Sequence, residues 1–273
     1  MLEATINKTI RNVLLTAGQL VDEIRIVATE GGLRISAMDE SHIALTSIQI
    51  PQKAFSKYVF KTPEGVNEEI IGVNIDDLSK IFKRAGNEDI TILHKDDDVR
   101  LGIWIESSPR RKFTLNLVEV GEDKVPPSSE INVDFAVTLT IPITWITETI
   151  KDAKMFGDVL EFIYAKKVFR LQSKTPVGDL EVEIPHEQIP QITPVEGEGN
   201  AKVMFSLGML EKIFTNASFT PDLTVDISLA DEAPARFTFF FHVFYEEVKE
   251  IITVKTFLAP RTQAGEDTTE GDA

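Results

Sequence analysis

Lys80, Lys83 and Arg84 stand within little more than one helical turn of the stretch LSKIFKRAGNED (78–89), in a chain whose formal net charge is -16. Three cations at that spacing neutralise phosphate oxygens, which gives affinity for a nucleic-acid backbone without reading sequence. At about 100° per residue they leave one side of a helix while Leu78, Ile81, Phe82 and Ala85 leave the other. Cations also suit the last turn of any helix, where they complement its dipole, and Gly86 has the character of the residue just past a helix end. Both readings fit this stretch alone. Other candidates for chemistry are few. His42, His94, His186 and His242 are widely spaced and outside any metal-ligand motif, and cysteine is absent. Neither a P-loop nor G-x-S-x-G nor H-E-x-x-H occurs. Asp96, Asp97 and Asp98 lie between two strand-like runs and read as a solvated turn. No catalytic residue, metal or cofactor is expected.

The elements that must carry these cations belong to a chain of 273 residues, 42% apolar and 26% charged, which is ample for a sizeable core. No run of 18 apolar residues occurs, so no spanning helix is expected, and MLEATINKTIRN lacks the form of a secretory signal, so a cytoplasmic-type protein is the expectation. The acidic surplus disfavours indiscriminate adhesion to nucleic acid or anionic lipid. It does not exclude a basic patch, because exposed charges are screened over about 8 Å.

The chain repeats itself. VNIDDLSKIFKRA (73–85) aligns with MFSLGMLEKIFTNA (204–217) at an offset of 132, matching Leu78 to Leu210, Lys80 to Lys212 and Phe82 to Phe214. DEIRIVATEGGLRIS (22–36) aligns with DVLEFIYAKKVFRLQ (158–172) at 136, and IQIP (48–51) with VEIP (182–185) at 134. Three matches in one order at nearly constant offset indicate two copies of one unit. Each opens on an amphipathic helix, with Ile10, Val13, Leu14, Ala17 and Val21 as the apolar stripe of the first and Ile146, Thr149, Ile150 and Ala153 of the second. Alternating strands, a second helix near 76–85 or 208–216, and further strands follow, which predicts an α+β fold of antiparallel sheets with helices on one face. The expected boundaries are 1–118 for the first domain, 119–132 for a linker rich in charge, Pro, Gly and Ser, 133–260 for the second domain, and 261–273 for an acidic, disordered tail.

The polar sides of the helices share a sign. The first carries Lys8 and Arg11, the third Lys151 and Lys154 beside Glu148 and Asp152, and the fourth Lys212 beside Glu211. Acids gather instead in Glu68-Glu69, Asp96 to Asp98, Glu246-Glu247 and the tail. Such sorting favours backbone-only DNA contact, and no Arg-rich or aromatic stacking motif suggests base reading.

GLRISAMDESHIAL (32–45), KIFKRAGNED (80–89) and LAPRT (258–262) together resemble the sliding-clamp family, PCNA, in its archaeal form, over nearly the whole chain. The resemblance implies a ring, usually of three two-domain subunits, encircling duplex DNA with helices lining the hole and sheets outside. Lys8, Arg11, Lys80, Lys83, Arg84, Lys151, Lys154 and Lys212 would then face DNA, with the acidic surplus on the outer shell. It also implies a docking pocket for partner peptides of the type Gln-x-x-aliphatic-x-x-aromatic-aromatic. Its walls by position would be Met38, His42, Ile43, Leu45, Val125, Pro126, Pro234, Phe257, Leu258, Ala259 and Pro260, with Asp123 and Lys124 standing where relatives carry an aliphatic anchor. Ring closure would pair RKFTLNL (111–117) with GDLEVEI (178–184) of the next subunit, placing Phe113, Leu115, Leu180 and Val182 at the joint, with Arg84 or Arg111 against Glu148. Implied partners are duplex DNA, a DNA polymerase, a flap endonuclease, a ligase and an ATP-driven loader, in replication and repair. The implied location is with the archaeal nucleoid, or nuclear in a eukaryote. Two alternatives remain: one subunit of a heterotrimeric clamp, and a β-rich peptide-binding scaffold that encircles nothing. FTFFFHVFYEEVKEIITVKTF alternates as a buried strand through Phe237, Phe239, Phe241 and Val243, which leaves Phe240 and Phe244 on its other face without a role.

Overall fold

Asn7 begins the first helix by accepting the N–H of Ile10, and Asn74 begins the second by accepting that of Asp77. These caps sit where strands end, so each helix leaves its strand directly. The computed structural model describes residues 1–95, 98–121, 131–194, 199–215, 219–220, 222–245 and 248–261. Its first half runs β1 (Leu2–Ile6), α1 (Lys8–Ala17), β2 (Glu23–Thr29), β3 (Gly32–Met38), β4 (Ala44–Pro51), β5 (Lys57–Phe60), β6 (Glu68–Asn74), α2 (Ile75–Ala85), β7 (Ile90–His94), β8 (Arg100–Ile105) and β9 (Arg111–Asn116). The second runs β10 (Val137–Pro142), α3 (Ile143–Ala153), β11 (Val159–Ala165), β12 (Val168–Thr175), β13 (Gly178–Pro185), β14 (Gln191–Pro194), β15 (Ala201–Ser206), α4 (Leu207–Thr215), β16 (Thr224–Leu229), β17 (Ala235–Tyr245) and β18 (Val248–Leu258). The order of elements in the first half recurs in the second, down to a single 3-10 turn after β4 and after β13.

Strand pairing repeats too. β5-β1-β7-β8-β9 has its counterpart in β14-β10-β16-β17-β18, and β6-β2-β3-β4 in β15-β11-β12-β13. One pairing breaks the repetition: β18 lies antiparallel to β4 and fuses two of these sheets into one of nine strands. The counterparts of that pair, β9 and β13, remain edge strands. Each helix buries one apolar stripe, Leu78, Ile81, Phe82 and Ala85 on α2 and Ile146, Thr149, Ile150 and Ala153 on α3 among them. Phe237, Phe239 and Phe241 enter the core from one face of β17, in edge-on contact with Phe162, Phe205 and Phe214 or stacked on Phe219. Among the described residues no helix is long and apolar enough to cross a membrane.

Two expectations need correction at the level of charge. Arg11 is only 3% exposed, so it does not belong to the polar face of α1. Its guanidinium donates to the carbonyl oxygens of Phe82, Gly86 and Glu88 at 2.9, 3.0 and 3.0 Å, which ties α1 to the C-terminal end of α2. Burial pushes its pKa down and nearby Asp89 opposes this. Acids and bases are also less cleanly sorted between helices and shell. Lys80 pairs with Asp77, Lys151 with Glu148 and Lys154 with Glu211 on the helices, while Lys57, Arg100 and Lys112 stand on the sheet β5-β1-β7-β8-β9.

Candidate nucleic-acid and peptide interfaces

Lys8, Lys80, Lys83, Arg84, Lys151, Lys154 and Lys212 are all exposed. Lys8 donates to Asn87 at 3.0 Å, and the Lys154–Glu211 bridge at 2.7 Å spans α3 and α4. Hydrogen bonding to Asp77 raises the pKa of Lys80, which keeps it charged. Exposed pairs of this kind are weak, so a phosphate can replace the carboxylate at little cost. A small cavity between Thr16 of α1, Gln19 in the turn after it, Lys212 of α4, and Thr46, Phe239 and Thr256 shows that the end of α1 and α4 lie against one face of the nine-stranded sheet, across the β4–β18 joint. Lys212 and the other face of that sheet are therefore on opposite sides of the molecule.

On the outer face, one cross-strand row reads Met38, Leu45, Phe257 and Arg236 through β3, β4, β18 and β17. Three pocket residues expected from sequence thus come together by register. Leu45 and Phe257 are, however, only 3% and 6% exposed, and Leu258 points to the core at 1%. The pocket expectation is corrected accordingly: Leu258 is core, and Leu45 and Phe257 form a covered floor instead of open walls. The accessible positions are Met38, His42, Ile43, Pro234, Ala259 and Pro260. Val125 and Pro126 lie outside the described residues. The segment after β18 is fastened beside Ile43, with the Ala259 N–H donating to the Ile43 oxygen at 2.7 Å and the Arg261 N–H to the Met204 oxygen at 2.8 Å. Arg261 also pairs with Asp158 at 2.6 Å, a bond that lowers the Asp158 pKa. Past Pro260 a groove of about 500 Å³ continues over Met204, Asp231 and Glu232.

The free edges differ in charge. β9 presents Lys112 outward, next to Arg110, and both cations lie over the Trp104 ring at 5.9 and 4.6 Å. β13 presents Asp179, Glu181 and Glu183. Phe113, Leu115, Leu180 and Val182 alternate with them, half-buried against the core. Arg111 donates to the Arg84 oxygen at 3.2 Å, which brings those two cations to one end of α2, and Glu148 is exposed on α3.

Residues 1–124 match the family described as proliferating cell nuclear antigen, N-terminal domain. A DNA polymerase sliding clamp of Thermococcus onnurineus is 30% identical over 230 residues, 84% of this chain and 85% of the relative. The chain belongs to the sliding-clamp family. A second clamp, from Pyrococcus furiosus, is 26% identical over 248 residues, 91% of this chain and 92% of its own. Among solved structures, A. fulgidus PCNA bound to the C-terminal region of FEN-1 superposes with a TM-score of 0.82 at 21% identity, over 97% of this chain and all of that one. PCNA from Thermococcus kodakaraensis gives 0.81 at 17% identity, over 96% of this chain and 100% of that one. The fold is therefore that of a sliding clamp.

One structural residue beside the candidate pocket, Asp39, escaped sequence reasoning. Asp39 is buried, and its carboxylate accepts the N–H groups of Ser41, Ile43 and Ala44 at 3.1, 2.8 and 2.6 Å. It shapes the turn that carries His42, at a φ of 58°, and Ile43 into the pocket rim. An Asp side chain that accepts from the backbone two residues on is the usual start of such a turn. Asp39→Ala strands two or three donors, so we expect a loss of about 2–4 kcal/mol. The thermal melting point should then fall roughly 10 °C. Asp39→Asn, keeping one acceptor oxygen, should fall between the two.

Proposed function

We propose that this chain is a DNA polymerase processivity factor: a ring of three copies that encircles duplex DNA and tethers replication and repair enzymes. Its two clamp domains span 1–118 and 133–260, joined by 119–132, with the tail from 261. The observation that carries this reading is the internal joint between β4 and β18. A chain that pairs these strands internally and leaves their counterparts, β13 and β9, open can repeat the same joint with a second copy, head to tail, until a ring closes.

Repeat equivalence supplies the register of that joint. Ala4 faces Ile92, then Ile103, then Phe113, whereas Leu139 faces Ile227, then Phe237, then Thr256. Ala4 and Leu139 each lie four residues before their helix, so Phe113 corresponds to Thr256. Pro51 and Pro185, which end β4 and β13, make Thr46 correspond to Leu180. Since Thr46 faces Thr256 inside the chain, Phe113 would face Leu180 of the next copy. One step along, Lys112 meets Glu181, and two steps further Arg110 meets Glu183. Both pairs are opposite in sign. Arg84 and Arg111 would stand toward Glu148 across the same joint.

Within the ring, Lys8, Lys80, Lys83, Arg84, Lys151, Lys154 and Lys212 line the hole and contact phosphates weakly and without sequence, so the clamp slides. It performs no catalysis, needs no cofactor, and depends on a separate loader to open it. Partner peptides of polymerase, flap endonuclease, ligase and loader dock over Met38, His42, Ile43, Pro234, Ala259 and Pro260, and the place of work is the nucleoid. The test is loading on a nicked circular plasmid followed by linearisation. A topological clamp is released by the cut, and a surface binder that stays on the linear product overturns the reading. Lys80→Glu with Lys83→Glu and Arg84→Glu should leave melting unchanged, shorten retention on circles and reduce processivity. Each lost phosphate contact should remove about 0.9 from the log–log salt slope. Processivity equal to that of the unaltered chain would remove these residues from the hole.

A further inference from the structure

β17 and β18 outrun their neighbours: β16 leaves β17 at Phe239, and β4 leaves β18 at Thr253. The ribbon beyond is buried on one side through Phe241, Val243 and Ile252. Its other side carries Phe240, His242 and Phe244 on β17 opposite Thr253, Ile251 and Lys249 on β18. Phe244 is 65% exposed and Ile251 44%, a large apolar surface to leave in water. Lys249 lies 5.8 Å from the Phe244 ring, and the His242 and Phe244 rings are 6.3 Å apart. Burial, and then the charge of Lys249, lowers the pKa of His242, so that this side chain is neutral near pH 7.

The strip is continuous with the pocket floor. From Phe257 to Lys249 is eight residues of one strand on one sheet face, about 27 Å. Between them the outward positions are Lys255 opposite Thr238, Thr253 opposite Phe240, and Ile251 opposite His242. No described outward position of β17 or β18 carries a carboxylate, in a chain with 44 acids and 28 Lys and Arg. Apolar rings flanked by Lys249 and Lys255 suit a chain segment that is itself apolar and acidic. Stacked nucleobases fit less well, since Ile251 and Thr253 occupy one side of the strip.

We infer that this ribbon is a second docking surface, which binds an apolar, acidic segment flanking the pocket-bound peptide on the same partner protein. The inference rests on the peptide-docking reading above. A flank of millimolar affinity, tethered at an effective concentration of several millimolar, tightens the whole by about tenfold. The probes are a fluorescein-labelled octapeptide with Gln, Ile and paired Phe at the motif positions, and the same peptide extended by ten alternating Leu and Glu residues at either end. In polarisation titrations, one extended peptide should bind at least about tenfold tighter than the octapeptide. Phe244→Ser with Ile251→Ser, and separately Lys249→Glu with Lys255→Glu, should cut that gain below about twofold and leave the octapeptide unaffected. No gain from either extension, or a gain that survives both variants, overturns the inference. So does a dT20 strand whose binding falls in these variants while neither extension gains, which would mark a nucleic-acid surface, or a lowered assembly mass, which would mark a contact between copies. An octapeptide that fails to bind sinks the pocket reading separately. The Leu/Glu decapeptide alone then decides the ribbon, by millimolar binding to the unaltered chain and none to the variants, or by no binding at all.

Discussion

A chain carrying Glu181→Lys and Glu183→Lys is expected to run as a single copy of 30.5 kDa, and the unaltered protein as the proposed ring, at three times that mass. Adding Arg110→Glu and Lys112→Glu to the same chain is expected to restore the assembly. The register derived from the β4–β18 joint sets Lys112 against Glu181 and Arg110 against Glu183 of the next copy. Each reversal turns an attraction into a repulsion, a swing of about 1 kcal/mol or more per exposed pair. With two pairs at each of three joints the ring loses roughly 6 kcal/mol, about four orders of magnitude in assembly. Within one chain Arg110 bonds Glu106 and Glu183 bonds Arg170, at 2.7 and 2.5 Å, so the substitutions also free those partners on the surface. That cost is local and small beside the joint. Size-exclusion with mass detection reads the result. A trimer that survives the acid-edge reversal, or a fourfold variant that stays a single copy, would show that the register is wrong.

Arg11→Met should cost about 3–5 kcal/mol, whereas Lys83→Met on the next helix should change stability by less than about 0.5. The difference follows from where the guanidinium goes. It satisfies three carbonyl oxygens at the end of α2 and in the following turn, groups that no intrahelical N–H can reach. Its charge also faces the negative end of the helix dipole. Methionine fills some of the volume but leaves those oxygens without a donor. Arg11→Lys should recover only part of the loss, because one ammonium cannot span Phe82, Gly86 and Glu88 as the planar fork does. Melting curves should show a drop of roughly 10 °C for Arg11→Met. A variant of normal stability with shortened retention on DNA would return Arg11 to the hole.

Arg11 also marks the limit of what periodicity conveys. The apolar stripe Ile10, Val13, Leu14 and Ala17 is readable at 3.6-residue spacing, and all four are buried. Arg11 sits next to that stripe, and a pattern that sorts residues by polarity assigns it to water. Only the neighbouring helix end, some 70 residues away in the chain, decides otherwise. Strands follow the same rule. Phe237, Phe239, Phe241 and Val243 alternate visibly and all face the core. Gly86, read as a helix-terminating residue, has a φ of 61°. The pairing of β18 with β4 has no local signature, since it joins residues about 210 apart whose side chains would suit many neighbours. Leu45 and Phe257 owe their places in one row, and their cover, to that pairing. This is why the family resemblance could nominate candidate pocket residues but not divide covered positions from accessible ones.

The two kinds of joint also respond differently to dilution. β4 and β18 belong to one polypeptide, so their association is unimolecular and persists however few molecules are present. The proposed β9–β13 seam would be made between separate molecules and would obey mass action. In the proposed ring, any gap wide enough to admit a duplex would therefore form at one of three identical seams, the gates of the annulus, while the fused nine-stranded sheet would be its rigid arc.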